Sequence, residues 1–485
     1  MRPAAATAPL PTLRGSRVWM VGAGGTGMSG LARLLLAAGA RVAGEDCEGG
    51  ETVDRLRADG IPIAEGPGGA IPDDAALVVA TAAAGASHPT LRAAMERGVP
   101  VRTYAQMLGE LHRVRTGVSV AGTHGKSTTT CLLTWILQEA GLDPGFIAGA
   151  TCAPLGGNAR PGAERVPSGA LAGQPGLLVT ESCEFDRSFH HLRPAVAIVN
   201  NVEAEHLDCY GSLEDVIDAF QQFAASLPSA RDGGFLLIAH EGAHRERVTH
   251  GIAAAVETFG THAQATHRVD YLEDGTIRVT RAGAVSLQWR PRLMGAHNAL
   301  NGAAAGVIAL RLGAAREAVE RALESFTGLD RRQQFVGLAR MPFGDVRVFD
   351  DYGHHPTEIR VTLQAIREAT TPRRLVCVFQ PHQHSRTRLL MDSFATAFSH
   401  ADLVLLPDIH FVRDPEAERT KVSSEMLAER VRAAGTSALA VGSLESALER
   451  ARASLQVGDV LVTMGAGGVW HVARELVRSG AGDAC

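Results

Sequence analysis

Short apolar runs recur along the chain, each followed by a glycine-rich or polar turn and then by a stretch with helical spacing. Arg17–Val21 enters a turn carrying Gly22, Gly24, Gly25, Thr26 and Gly27, and a helical run follows from Met28 to Ala38. Further strands are predicted over Arg41–Ala43, which ends at Glu45 and Asp46, and over Ala75–Ala80, with a helix over Pro89–Gly98. The rhythm restarts with a strand over Gly117–Ala121, a loop over Gly122–Lys126 and a helix through Ala140. Strands over Leu177–Thr180 and Ala195–Asn200 follow, the first ending at Glu181 and the second running into Asn201, Glu203, Glu205 and His206. Between them and the preceding helix, the Gly/Pro/Ala-rich stretch Ala153–Gly176 reads as a long surface loop. A later helix opens at Gly295 and runs to Leu312. From Asp330 onward, strands over Val346–Phe349, Leu375–Phe379, Leu403–Leu406 and Val460–Thr463 alternate with helices, and the last feeds Gly465, Gly467, Gly468 and a closing helix to Val477. Strand–loop–helix alternation without a fixed-period repeat predicts three α/β units in series, each with a mainly parallel sheet.

Length agrees with that count: 485 residues at about 150 per domain leave room for three. The pattern divides them into a tail over 1–14 and domains over 15–113, 114–328 and 329–485. The tail is Ala/Pro-rich with no apolar core and reads as disordered rather than as a signal peptide. No apolar run approaches the roughly 18 residues of a membrane span, and the seven cysteines are scattered without a CxxC pair. Both observations point to the cytoplasm. A net charge of −5 offers no electrostatic footprint for nucleic acid. Only two of the 47 basic residues are lysines, Lys126 and Lys421. A lysine retained against such a bias marks a role that the flat guanidinium fork does not fill.

The candidate chemistry lies at the ends of the predicted strands. Gly22, Gly24 and Gly27 with an acid about twenty residues on fit a diphosphate-binding turn. The reading as a diphosphate site is preferred to a purely structural turn, and the spacing suits a nicotinamide cofactor and another nucleotide diphosphate alike. The loop Gly122, Thr123, His124, Gly125, Lys126, Ser127, Thr128 is more specific. There, backbone amides would cradle phosphates, Lys126 would neutralise them and the Ser127 hydroxyl would hold Mg²⁺. It departs from the strict spacing, since Val120 stands where the first glycine should be. Glu181, Glu184, Glu203, Glu205, His206 and Asp208 offer hard oxygens and an imidazole for one or two Mg²⁺ ions. Each alone reads equally well as a cap or a solvated carboxylate. His297, Asn298 and Asn301 cluster at a helix start, where asparagine either caps or reads a base edge, and Arg331–Arg332 is a phosphate clamp or a solvated pair. The runs 350–356 and 380–388 follow strands; their four histidines invite a metal reading but lack i,i+4 spacing and bring no cysteine, so a polar pocket for a small charged substrate is expected.

Taken in order, GTHGKSTTT (122–130), the acidic and histidine-bearing run 181–208, GAHNALN (295–301), GLDRR (328–332), DDYGHHPTE (350–358) and FQPHQHSRTR (379–388) resemble the Mur ligases from Val21 to the final glycine loop. The last two motifs resemble the alanine-adding branch. The resemblance implies a Rossmann-like UDP-binding domain, a central P-loop ATPase and a C-terminal Rossmann-like amino-acid domain. It implies ATP and Mg²⁺ as cofactors and UDP-N-acetylmuramate and L-alanine as substrates. By the same resemblance Gly24, Gly25, Thr26, Gly27, Met28 and Asn158 meet the UDP-sugar. Gly122 to Thr128 meet the ATP phosphates, and Ser127, Glu181 and His206 hold metal. His297, Asn298 and Asn301 contact adenine. Arg332 and Asp351 hold phosphate and ribose, and Lys126, His206 and Arg332 carry the catalytic charge. Tyr352, His354, His382 and Arg386 line the alanine end.

Three positions depart from the family pattern. Gln383 replaces an arginine near the amino acid, Cys183 replaces a carboxylate, and no lysine between Lys126 and Lys421 is available for the carbamylation used by sibling ligases. A recycling ligase attaching a cell-wall tripeptide is the neighbouring alternative. An oxidoreductase or a non-catalytic nucleotide-binding regulator uses fewer of these motifs.

Overall fold

A computed structural model describes residues 13–66, 68–85 and 87–479. The tail expected over 1–14 falls outside these up to residue 12, as do Cys485 and the side chain of Asp208. The described chain carries three sheets and divides into two compact units, one formed by residues up to 292 with 300–326 and one by 293–299 with 327 onward.

The first unit holds two of the sheets. Strands β1 (Arg17–Val21), β2 (Arg41–Asp46), β3 (Ile63–Glu65), β4 (Ala75–Ala80) and β5 (Val101–Thr103) lie in the order β3-β2-β1-β4-β5, all parallel. The second sheet has ten strands: β6 (Thr116–Ala121), β7 (Gly145–Cys152), β8 (Gly157–Arg160), β9 (Leu177–Glu181), β10 (Val196–Val199), β11 (Phe235–Ala239), β12 (Ala255–Gly260), β13 (His267–Tyr271), β14 (Ile277–Arg281) and β15 (Ala284–Trp289). Their order is β15-β14-β13-β12-β11-β10-β6-β9-β7-β8. The central strands are parallel and apolar on both faces, as β10 with all four residues buried illustrates. The outer hairpins alternate instead. Ile277 and Val279 of β14, and Leu287 and Trp289 of β15, are buried while their neighbours are not, the signature of a sheet with one wet face. A single buried cluster runs from Val18, Met20, Leu31 and Leu35 of the first sheet layer through Ile147 to Val199, Phe220 and Ile238 of the second.

The stretch Ala153–Gly176 is the expected surface loop over 161–175, which is mostly exposed, but not at its start. A 3-10 turn over Ala153–Leu155 reverses the chain into β8, which pairs antiparallel with β7, and a bridge between Arg165 and Pro175 closes the remainder. Leu155, Asn158 and Val166 are buried. Its glycines serve both ends: Gly156, Gly157 and Gly173 face open space, while Gly162 and Gly176 are tightly packed. A Cβ on Gly176 would lie 1.9 Å from the Ala163 carbonyl oxygen, so the loop folds tightly on itself.

The second unit carries β16 (Gln334–Met341), β17 (Gly344–Asp351), β18 (Arg374–Phe379), β19 (Leu403–Pro407), β20 (Ala438–Gly442) and β21 (Asp459–Met464) in the order β16-β17-β21-β18-β19-β20. Only the β16–β17 pair is antiparallel. One face buries Phe349, Cys377 and Phe379; the other buries Val348, Val376 and Val378. This alternation from consecutive strand positions is that of a sheet covered on both sides.

Candidate active site

β6 delivers the chain into Gly122 and Gly125, both left-handed at φ 138° and 78°, before the helix Lys126–Glu139 begins. Glycine is required at Gly125 on two counts, conformation and space: a Cβ there would meet Asn301 Oδ1 at 2.6 Å. The loop is stapled from β10. Asn201 Oδ1 accepts from the His124 amide at 2.7 Å, its Nδ2 donates to the His124 carbonyl at 3.3 Å, and its carbonyl accepts from Thr123 N at 3.1 Å. Asn200 Nδ2 donates to Thr129 Oγ1 at 3.0 Å, and that hydroxyl donates to Asn301 Oδ1 at 3.2 Å. Asn301 therefore supports the first turn of the helix from behind.

Strand register decides what flanks the loop. Val120 pairs with Glu181 of β9 and Ala121 with Val199 of β10. Glu181 and the segment 200–206 thus stand on either side of the loop at the carboxyl ends of parallel strands, where α/β sheets bind ligands. Glu181 accepts from Gly149 N at 2.6 Å through one carboxylate oxygen. His206 has left-handed backbone, φ 53°, and packs edge-on against Phe185 at 5.1 Å. Ser127 and Thr128 are buried in the first helical turn. Lys126 Nζ lies on the loop itself, donating to the Gly122 and Thr123 carbonyls at 2.6 and 3.0 Å and pairing with Glu184 at 2.9 Å. Burial opposes its charge most strongly, but the neighbouring acidic groups together, Glu184 foremost, outweigh that and hold the ammonium above its ordinary range. Burial, aided by Glu184 and opposed by Lys126, pushes the Cys183 thiol up to about 12. Cys183 therefore stays neutral and does not replace the carboxylate that the family pattern carries there.

In the first sheet the two candidate acids part company. Asp46 Oδ2 accepts from Gly24 N at 2.7 Å and closes the glycine turn. Glu45 is buried and accepts from Thr90 Oγ1 at 2.5 Å. Gly25 precedes the helix Thr26–Ala37 with no side-chain cap, leaving the turn open to an anion, and Met28 is buried beneath it. Asn158 reaches this turn from β8, donating to the Thr26 carbonyl at 2.6 Å and accepting from Arg33 at 3.1 Å. Gly27 lies under Tyr104, whose ring a Cβ would meet at 3.0 Å. Burial raises the Tyr104 phenol, and the charge of Glu181 adds to it.

In the second unit, Gln333 links His297 and Asn298: its Nε2 is 3.2 Å from His297 Nε2 and its Oε1 accepts from Asn298 Nδ2 at 3.1 Å. Burial depresses His297 to about 4, against the pull of Glu358. Asp351 accepts from the amides of Gln333 at 2.8 Å and Gly353 at 2.7 Å. Burial still raises it to about 6, opposed by Arg332 and both amides. Arg332 stands 3.7 Å from Glu358 and over the Tyr352 ring at 5.2 Å. Arg331, by contrast, ties Asp350 at 3.0 Å to the Gly465 carbonyl at 2.7 Å and is a structural staple. The four residues read as an amino-acid pocket do meet. The His354 ring lies 5.4 Å from Tyr352 and 5.9 Å from His382, and Arg386 Nη1 is 3.2 Å from His382 Nδ1. Burial, with basic neighbours that include Arg386 and Arg413, depresses His382 to about 3.

Several contributors escaped the sequence reading. His410 stacks on His382 at 5.4 Å, and Asp414 receives the His384 and Ser385 amides at 2.5 and 3.2 Å, fixing the turn that carries Arg386. His410 follows β19, so its signal was the same strand-end position that exposed the other motifs. Asn200 and Asn201, adjacent at the end of β10, carried it too.

Fold and loop together define a P-loop α/β protein with three sheets. Three family models match in series: "Mur ligase family, catalytic domain" over residues 17–116, "Mur ligase middle domain" over 120–309 and "Mur ligase, glutamate ligase domain" over 331–467. The chain is 37% identical over 467 residues to the UDP-N-acetylmuramate–L-alanine ligase of Solidesulfovibrio magneticus, covering 96% of this chain and 98% of that protein. It is 35% identical over 470 residues to the same-named ligase of a Geobacter species, covering 95% and 97%. The crystal structure of UDP-N-acetylmuramate-alanine ligase from Thermotoga maritima superposes with a TM-score of 0.75 at 26% identity, over 96% of this chain and 98% of that one. The chain belongs to the Mur ligase family.

Proposed function

We propose that the protein is an ATP-dependent ligase that forms an amide between L-alanine and the lactyl carboxylate of UDP-N-acetylmuramate, in peptidoglycan precursor synthesis. The observation that carries this reading is the phosphate loop set between Glu181 and His206, in a chain similar along its whole length to proteins bearing that name. ATP supplies the phosphoryl group that converts the carboxylate to an acyl phosphate, and Mg²⁺ neutralises the phosphate oxygens during transfer. The donor set suits Mg²⁺: a buried hydroxyl, Ser127, a carboxylate with one oxygen bonded to Gly149, and the imidazole of His206.

Within this reading the chain's own groups position and neutralise. The glycine turn over Gly24–Gly27, with Met28 and Asn158, holds the UDP-sugar. The amides of Gly122–Thr128 and Lys126 hold the phosphates, while His297, Asn298 and Asn301 serve the nucleotide's base end and Arg332 and Asp351 its phosphate and ribose. In the acceptor cluster His354 and His382 stand beside the Arg386 cation. The depressed His382 stays neutral at pH 7 and so competes with no incoming ammonium. The domain boundaries that serve these roles are 15–113, 114–328 and 329–485. Among the described residues no helix is long and apolar enough to cross a membrane, and the reading places the protein in the cytoplasm.

The test is phosphate release from ATP and Mg²⁺ with UDP-N-acetylmuramate, offering each L-amino acid in turn and a cell-wall tripeptide. Release with alanine well ahead of serine and glycine supports the reading; release only with tripeptide replaces it with a recycling ligase.

A further inference from the structure

Lys126 is saturated where it stands. Its ammonium has three protons, and they meet the Gly122 carbonyl at 2.6 Å, the Thr123 carbonyl at 3.0 Å and Glu184 Oε1 at 3.1 Å, with Oε2 at 2.9 Å. Turning toward a phosphate means leaving some of these partners. The carbonyls are neutral and tolerate the loss. Glu184 does not, because its side chain is 1% exposed and its Oε2 has no hydrogen-bond partner to fall back on beyond the ammonium 2.9 Å away. A buried carboxylate stripped of its counter-ion is strongly disfavoured. Nor does Glu184 swing out to water: its backbone carbonyl accepts from the buried Tyr210 hydroxyl, and its neighbour Phe185 is packed against His206. The group at hand to replace the ammonium is a cation held through His206, whose Nε2 lies 4.0 Å from Glu184 Oε1.

We propose that Glu184 is a positioning residue that couples nucleotide to divalent-cation binding: it retains Lys126 until a cation takes the ammonium's place, and only then is Lys126 released to the phosphates. This rests on the ATP-dependent reading and assigns it an order. ATP without metal occupies the loop without help from Lys126 and binds weakly. ATP with metal gains the lysine as well as the metal's own contacts. Removing the negative charge at position 184 frees Lys126 at once, so nucleotide binding tightens where metal is absent and depends less on metal where it is present.

The measurement is ATP affinity by calorimetry on the full chain, in EDTA and in excess Mg²⁺, for the parent, Glu184→Gln and Glu184→Asp. In EDTA, Glu184→Gln is expected to bind ATP roughly tenfold more tightly than the parent, within the usual range of coupling between sites. Its ratio of affinities with and without Mg²⁺ falls by a similar factor, and Glu184→Asp, which keeps the charge, keeps most of the parent's ratio. A merely structural glutamate predicts the opposite sign, weaker binding in both conditions. Binding by Glu184→Gln in EDTA no tighter than the parent's, with the ratio unchanged, overturns the proposal. No ATP binding by the parent in either condition overturns the ATP reading, and the coupling with it. A second measurement needs no variant. With only two lysines in the chain, lysine labelled with ¹³C at Cε gives two signals, one from exposed Lys421. The Lys126 signal is expected to hold its position at saturating ATP in EDTA and to move when Mg²⁺ is added; the same final position with ATP alone refutes the exchange.

Discussion

Asn201 offers the sharpest test of how the phosphate loop keeps its shape. Asn201→Ala removes two side-chain hydrogen bonds to one loop residue, the 2.7 Å bond from the His124 amide and the 3.3 Å bond to the His124 carbonyl. At about 1 kcal/mol net for each, the loss is about 2 kcal/mol. The backbone bond from Thr123 N to the Asn201 carbonyl survives the substitution, so the strand end stays in register and the effect falls on the loop. A loop that must be reordered at each binding event charges that energy to the nucleotide, which at 1.4 kcal/mol per decade weakens ATP by roughly thirtyfold. Calorimetry with ATP and Mg²⁺ reads this directly, and UDP-N-acetylmuramate affinity on the same sample serves as control, with a change below about twofold expected. ATP affinity within threefold of the parent, with an unchanged melting temperature, would refute the idea that this asparagine preorganises the loop.

Other expectations follow from the same geometry. Lys126→Ala abolishes phosphate release while UDP-sugar affinity persists, since the glycine turn lies on a different sheet; it also lowers Tm, because Glu184 is left buried without its cation, and a Tm at or above the parent's would contradict the pairing. His297 is held neutral to about pH 4 in the folded chain against about 6.5 in the unfolded one. The unfolded state therefore binds more protons between these values, so stability falls as pH drops through that window. His297→Gln should flatten the slope of denaturant stability against pH between 6.5 and 4, by up to the order of 3 kcal/mol, and an unchanged slope would show that His297 is not the group responsible. His410→Ala removes the ring stacked on His382. It should raise the alanine KM by roughly three- to tenfold with the ATP KM unchanged, and equal effects on both would place His410 outside the acceptor cluster.

The legible parts of this molecule were those where one physical requirement dominates. Parallel strands buried on both faces must be apolar throughout, so β4, β10, β18 and β21 stand out in the sequence as runs. The phosphate loop was legible because Gly122, Gly125 and Lys126 are each nearly irreplaceable there. The outer hairpins β13–β15 were not. Their alternating pattern is weak, and charged residues such as Arg268 and Arg278 occupy their wet face. Of the stretch 153–176, the exposed loop over 161–175 was legible and β8 was not, because the four residues Gly157–Arg160 carry no apolar run. At the site, sequence pointed to the residues but not to their present partners. Lys126 turned back on Glu184, and Asn301 bonded to Thr129, depend on side-chain directions set by tertiary packing.

The buried cluster that runs from Met20 and Leu35 to Val199 and Phe220 bears on how this chain is dissected in the laboratory. A fragment ending at Arg113 begins and ends at sensible sheet boundaries, yet it strips the helix Thr26–Ala37 of Ile147 and Ala159, which approach so closely that a Cβ on Gly30 would stand 3.1 Å from each. It also orphans the Thr26 carbonyl from Asn158. Such a fragment exposes an oily seam and invites aggregation, whereas one carried through Phe326 retains the whole cluster. Swapping the amino-terminal sheet between homologous ligases runs into the same seam: a transplant has to carry the matching β7 and β8 residues with it.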